Sequence, residues 1–116
     1  VLVKFSLSYG KEVHQHAADN GFAPSLLSVS RTHSGWYCIV MDYIDIDPDL
    51  PSLDSVLKIL KNLHDAKFVH GDVRPGNVVV SNSKVMLLDF DWSGKMGVAK
   101  YPSFFMNPEV MKVIYE

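Results

Sequence analysis

Cysteine is almost missing: Cys38 is the single one in 116 residues, so no disulfide can form within the chain. An apolar core must therefore hold it together, which fits a reducing compartment. Long apolar runs are missing as well. Those present, such as residues 38–41 and 78–80, are strand-length, against the ~20 residues a membrane-spanning helix needs. Neither charge sign is in excess: 11 Lys and Arg stand against 13 Asp and Glu, for a net charge of −2. The cations are scattered, so nucleic-acid binding has no electrostatic footing. Repeats, low-complexity tracts and the charged–apolar–small order of a signal peptide are also absent. The expectation is a cytoplasmic, intracellular protein with neither nucleic acid nor membrane as partner. Hydrophobic residues, by contrast, make up 47% of the chain, enough for the core of one domain. The chain starts at Val1 and a helix-like pattern runs over residues 110–116, so a piece of a longer protein is expected.

Residues 1–5 (V-L-V-K-F) read as a strand. Ser8 can cap a helix from Tyr9 to about Asp19, which Asn20-Gly21 ends. After Pro24, residues 26–29 read as a second strand, Ser34-Gly35 as a turn, and residues 36–43 as a buried strand. Residues 45–51, with three acids and two prolines, form a connector. Residues 52–66 make the clearest helix, in which Leu53, Val56, Leu57, Leu60 and Leu63 draw one apolar stripe. Ser52 caps it, Asp54 sits near its positive end, and Lys58 and Lys61 lie toward its negative end. Strands at 78–80 and 85–88 flank a turn at 81–84, and loop follows Asp91. The order suits an α+β fold rather than a doubly wound sheet.

The segment F-V-H-G-D-V-R-P-G-N-V-V-V, then V-M-L-L-D-F-D, carries the chemistry. His70, Asp72, Arg74 and Asn77 lie in a loop between helix and strand, and Asp89 ends the neighbouring strand. Phosphoryl transfer needs an acceptor for a hydroxyl proton, hard oxygen ligands for Mg²⁺, and a cation near the transferred group. Asp72, the pair Asn77 and Asp89, and Arg74 match those needs.

The pattern H-x-D-x-[KR]-P-x-N, followed by apolar-apolar-D-F-x, resembles the catalytic loop and metal strand of the protein-kinase-like superfamily. The resemblance implies a catalytic base at Asp72, Mg²⁺ held by Asn77 and Asp89, and Arg74 in place of the usual lysine. Two positions depart from ordinary protein kinases: Gly71 stands where Arg is usual, and Asp91 where D-F-G has Gly. The H-G-D form is similar to aminoglycoside and choline kinases and to atypical and fungal kinase-like proteins. The segments Gly94-Lys95-Met96-Gly97 and Tyr101-Pro102 look nearer to the fungal group. The resemblance further implies Met41 as gatekeeper, the backbone of Asp42 and Ile44 against the adenine edge, and Val79 beneath the ring. It makes Lys4 the contact to the α- and β-phosphates and Glu12 its ion-pair partner. The glycine-rich phosphate loop that would precede Lys4 lies outside the sequence, so little activity is expected of these 116 residues by themselves.

The fold implied is a truncated protein-kinase-like one: residues 1–44 a partial N-lobe sheet with one helix, 45–51 the hinge, and 52–116 the start of the C-lobe. The activity implied is ATP-dependent transfer of the γ-phosphate to a hydroxyl, of a protein Ser or Thr, with ATP and Mg²⁺ as cofactors. A small-molecule kinase and a non-catalytic pseudokinase or binding module are the alternatives. Plain readings account for the remaining candidates. His14 and His16, two apart on a helix, point to different faces and cannot share a metal. Cys38 packs beneath the hinge, and Asn107-Pro108-Glu109 is either an echo of the A-P-E motif or a Pro-started helix.

Overall fold

The β-branched and aromatic residues of the first half build a three-stranded antiparallel sheet, ordered β1-β3-β2. Its strands are β1 (Leu2–Ser6), β2 (Leu26–Arg31) and β3 (Tyr37–Met41), with helix α1 (Lys11–Asp19) between the first two. The computed structural model describes residues 1–97. The Asn107-Pro108-Glu109 echo and the helix expected at 110–116 lie outside the described residues. Lys4 pairs with Ile39 and Leu2 with Met41, which sets the start of β1 beside the end of β3. The strand expected over 36–43 stops at Met41, and beyond it the Asp42 N–H still bonds the carbonyl of Ser25, the residue before β2, at 3.0 Å.

Helix α1 begins two residues later than the sequence predicts, and Ser8 does not cap it. The Ser8 hydroxyl donates to the Asp91 carbonyl at 2.7 Å instead, and Gly10 takes the N-cap position without a side-chain cap. The end agrees with expectation: Gly21 has φ +80° and the Phe22 N–H returns to the Ala17 carbonyl.

Helix α2 (Leu53–Asp65) has its N-cap at Ser52, whose Oγ accepts the Ser55 N–H at 3.2 Å. Its buried face is Val56, Ile59, Leu60 and Leu63, whereas Leu53 is 61% exposed. The apolar stripe is thus rotated toward Ile59, since the first turn faces away from the body it packs on. Strand β4 (Phe68–Val69) follows, then a loop with a 3₁₀ turn at Pro75–Asn77, then hairpin β5 (Val78–Ser81) and β6 (Lys84–Leu87). The expected four-residue turn is a two-residue one: Ser81 pairs with Lys84, and Asn82 and Ser83 both have positive φ. Where the sequence pattern after Asp91 predicts only loop, β7 (Gly94–Lys95) pairs antiparallel with β4.

One core joins these pieces. Val13 and Ala17 of α1, Ile59, Leu60 and Leu63 of α2, Val78 and Leu87 of the hairpin, and Phe90 form one buried cluster. Each large buried side chain such as Phe90, Leu63 or Leu87 contributes roughly 1.5–3 kcal/mol. Phe90 therefore anchors the turn after β6 to α1.

Candidate functional site

The loop between β4 and β5 is held by its own polar residues. His70 is 2% exposed, accepts the Asp72 N–H at Nδ1 (3.2 Å) and hydrogen-bonds the Leu88 carbonyl through Nε2 (2.8 Å). Those partners require the neutral ring with its proton on Nε2. Burial agrees, pushing the His70 pKa down to about 4 despite the Leu88 carbonyl and Asp89, which favour the cation. A neutral histidine thus ties the loop to the strand that leads to Asp89.

Asp72 is 5% exposed. Asn77 Nδ2 donates to its Oδ2 at 2.9 Å and to its carbonyl at 3.0 Å, while Arg74 Nε stands 3.2 Å from its Oδ1. Burial raises its pKa, Arg74 and Asn77 oppose that, and Asp89 and Asp91 add to the rise. Both Nδ2 bonds of Asn77 go to Asp72, so the amide turns its carbonyl oxygen elsewhere as an acceptor. The Leu88 N–H binds the Asn77 backbone carbonyl at 2.8 Å, a second tie between the loop and β6.

Asp89 sits just past β6 with φ +61°, a left-handed conformation that Asp tolerates better than most residues. Lys4 Nζ lies 3.2 Å from Asp89 Oδ1 and 2.7 Å from Asp91 Oδ1. Burial pushes the Asp89 carboxyl up, but the Lys4 charge and hydrogen bond outweigh it and hold the group below the usual range. This contact closes a loop between residues 85 positions apart in sequence. Asp91 Oδ1 is buried and has no hydrogen-bond donor, so the short Lys4 approach is a charge contact off the hydrogen-bonding direction.

A stack of rings backs the turn. Phe90 lies flat on His14 at 4.6 Å between centroids and edge-on to His70 at 5.0 Å. His14 is fully buried, bonds the Pro24 carbonyl through Nε2 at 2.8 Å, and takes the Tyr9 hydroxyl on Nδ1. Burial lowers its pKa, and burial also raises that of Tyr9. His14 is thus a core residue, and among the described residues no group of three or more His, Cys, Asp or Glu is placed to hold a metal. A cavity of about 190 Å³ lies here, with Lys4, Tyr9, His14, Met41, Asp89 and Phe90 among its lining.

The sequence-predicted residues thus fall into groups. Asp72, Arg74 and Asn77 are in mutual contact, Asp89 is joined to them through Leu88, and Lys4 and Met41 share the cavity with Asp89. Val79 lies in a separate apolar groove of about 620 Å³ with Ile46, Pro51, Leu53, Val56 and Arg74. Asp42 is exposed with its N–H committed to Ser25, and Ile44 is half-buried in the connector. The expected Lys4–Glu12 ion pair is a correction: Glu12 is exposed on α1, and Lys4 turns to Asp89 and Asp91. Asp91 is the residue that sequence reasoning passed over as a ligand of Lys4. Its one signal was an acid where D-F-G has Gly.

No family model matches the chain. Among curated proteins it is 36% identical over 63 residues to mitogen-activated protein kinase kinase kinase 8 of Rattus norvegicus, covering 48% of this chain and 14% of that one. It is 38% identical over 60 residues to the MAP kinase kinase skh1/pek1 of Schizosaccharomyces pombe, covering 47% and 16%. The solved kinase PK-1 of Cydia pomonella granulovirus matches with a TM-score of 0.68 at 19% identity, over 95% of this chain and 50% of that chain. The chain therefore spans about a seventh of these curated relatives and half of the solved kinase. It is thus similar in sequence to protein kinases over about half its length, and its fold is an α+β one matching part of the protein-kinase fold.

Proposed function

We propose that this chain supplies the catalytic loop, metal strand and part of the nucleotide cleft of an ATP-dependent phosphotransferase acting on a protein Ser or Thr hydroxyl. The observation that carries the reading is the Asp72 carboxylate. It is buried, held on one oxygen by Asn77 and approached on the other by Arg74, in a loop tied twice to the strand before Asp89. The similarity to two protein kinases by name supports the same class.

In this reading Asp72 accepts the proton of the attacking hydroxyl, and its raised pKa brings it nearer to neutral working pH. Arg74 places positive charge beside the developing charge of the transferred group. The Asn77 carbonyl and the ionised Asp89 carboxylate are hard oxygen donors, which suits Mg²⁺ with its remaining positions filled by water and phosphate. Bound there, the ion would neutralise phosphate charge. Lys4 binds the α- and β-phosphates, and Met41 with the backbone of Asp42 and Ile44 borders the adenine, which then has to reach from the Lys4 cavity to the neighbouring groove for Val79 to lie beneath it. Residues 1–44 then belong to the N-lobe, 45–51 to the hinge and 52–116 to the C-lobe, in a protein that draws on intracellular ATP.

The test is a nucleotide titration with and without Mg²⁺ on the full-length protein, beside turnover of Asp72→Asn. Mg²⁺-dependent binding is expected, with turnover falling about 10²–10⁴-fold in the variant. Binding that ignores Mg²⁺, or unchanged turnover, overturns the reading. The outward Glu12 and doubly countered Lys4 favour one second reading, a non-catalytic nucleotide-binding module. Mg²⁺-dependent binding with no turnover in any variant would select it.

A further inference from the structure

Lys4 needs a counter-charge that keeps its side chain extended toward the phosphates, and α1 has none to offer. The face of α1 turned toward the site carries Val13, His14 and Ala17, all buried. Glu12 points out with the exposed residues. One turn before His14 on that face is Gly10, where a Cβ would come within 2.5 Å of the Ser93 carbonyl oxygen. No acid can stand there. The room that a helix carboxylate would occupy is filled by the backbone that follows the D-F-D turn.

That same turn delivers a carboxylate from the other side. The Asp91 carbonyl accepts the Ser8 hydroxyl at 2.7 Å, and its N–H donates to Asp89 Oδ1 at 3.3 Å, so the residue is held at both backbone groups. The Phe90 carbonyl takes the Gly10 N–H at 2.8 Å and fixes the turn against the start of α1. From this frame Asp91 Oδ1 approaches Lys4 Nζ to 2.7 Å, closer than Asp89 does at 3.2 Å. The oxygen is buried with no hydrogen-bond donor, so Lys4 is the charge that accounts for its position.

We propose that Asp91 is the positioning residue of Lys4, replacing a helix glutamate as its counter-charge and leaving the Asp89 carboxylate available for the metal. The role given to Lys4 rests on the phosphotransferase reading above, whereas the ion pair itself does not. If Asp89 were the sole partner, loading a metal on Asp89 would compete with the lysine. With Asp91 in place, Lys4 keeps a partner when Asp89 turns to the metal. The lysine is then aligned by the turn that carries the metal acid, and movements of α1 do not release it.

The experiment reads the Lys4 ammonium directly. In the full-length protein labelled with ¹⁵N at lysine side chains, an immobilised ion-paired ammonium gives its own ¹H–¹⁵N signal, assigned by its loss in Lys4→Arg. The signal is expected in the wild type and in Glu12→Gln, clearly weakened in Asp91→Asn, where only the 3.2 Å Asp89 contact remains, and restored in Asp91→Glu. Asp91→Asn leaves both backbone bonds of residue 91 in place, so weakening of the signal reports the carboxylate and not the turn. An unchanged signal in Asp91→Asn, or its loss in Glu12→Gln, overturns the proposal. Mg²⁺-nucleotide titration of the wild type is run alongside. Failure there sinks the phosphotransferase reading, while the ammonium spectrum still decides the counter-charge. Where turnover is measurable, Asp91→Asn is expected to lower kcat at least about tenfold while KM for ATP moves less than about threefold.

Discussion

Placing at Gly71 the arginine that is usual in protein kinases should damage this protein. Gly71 has φ +92°, and a Cβ built there would stand 2.4 Å from the Trp92 carbonyl oxygen, where ordinary contact begins at 3.4 Å. Any side chain meets two penalties. A left-handed backbone costs a non-glycine residue roughly 1–2 kcal/mol. The clash is with backbone, so the turn at Trp92 must retreat by about 1 Å, which strains the Ser93 hydroxyl bond to the His70 carbonyl and the pairing of β4 with β7. Losing one or two such bonds costs about 1 kcal/mol each. Gly71→Ala and Gly71→Arg are therefore both expected to lose about 3 kcal/mol in urea unfolding of the full-length protein. Turnover should fall with them, since the loop holding Asp72 begins at this residue. Gly76→Ala is the control: nothing lies within 4 Å of its Cβ position, so a change under about 0.5 kcal/mol is expected. A Gly71→Arg variant as stable as the wild type would refute the reasoning and show that the segment after Asp91 does not press on the loop that holds Asp72.

His70 should make stability pH-dependent. Its pKa falls from 6.5 to about 4 on folding, so the unfolded chain takes up a proton across that window and the folded one does not. Stability is then full above about pH 6.5 and declines by about 3 kcal/mol as pH falls to 4. Chemical unfolding between pH 7.5 and 4.5 should show that slope, and His70→Gln should remove it. Asp72→Asn should also remove the acid limb of kcat/KM, because a base with a raised pKa loses its proton later as pH rises; a limb unchanged in the variant assigns it elsewhere. Asp89→Asn should abolish Mg²⁺-dependent binding yet cost under about 1 kcal/mol of stability, measured by thermal melt. Asn tolerates φ +61°, the pair is partly exposed, and Lys4 retains Asp91. A large loss would make Asp89 a structural anchor.

What the sequence determined by itself was local chemistry and its order along the chain. The H-G-D-x-R-P-x-N loop, the D-F-D turn, the capped helix from Ser52 and the apolar strands were all readable, because period, caps and motif spacing act over a few residues. Met41, Asp72, Asn77 and Asp89 could be singled out as candidates from that order. The partners of Lys4 could not. A lysine reaches about equally far in any direction, and whether it meets Glu12 eight residues on or Asp91 eighty-seven residues on depends on how α1 packs. That was decided in three dimensions, by Phe90 stacking on His14 and by Gly10 leaving space for Ser93. The same holds for Gly71, which in sequence reads as an arginine lost and in the fold is the one residue type its neighbour permits. It holds for β7 too, whose two residues carry no strand pattern and pair only because β4 is beside them. Short-range preferences choose the elements, but excluded volume and charge across the closed chain choose which side chains meet.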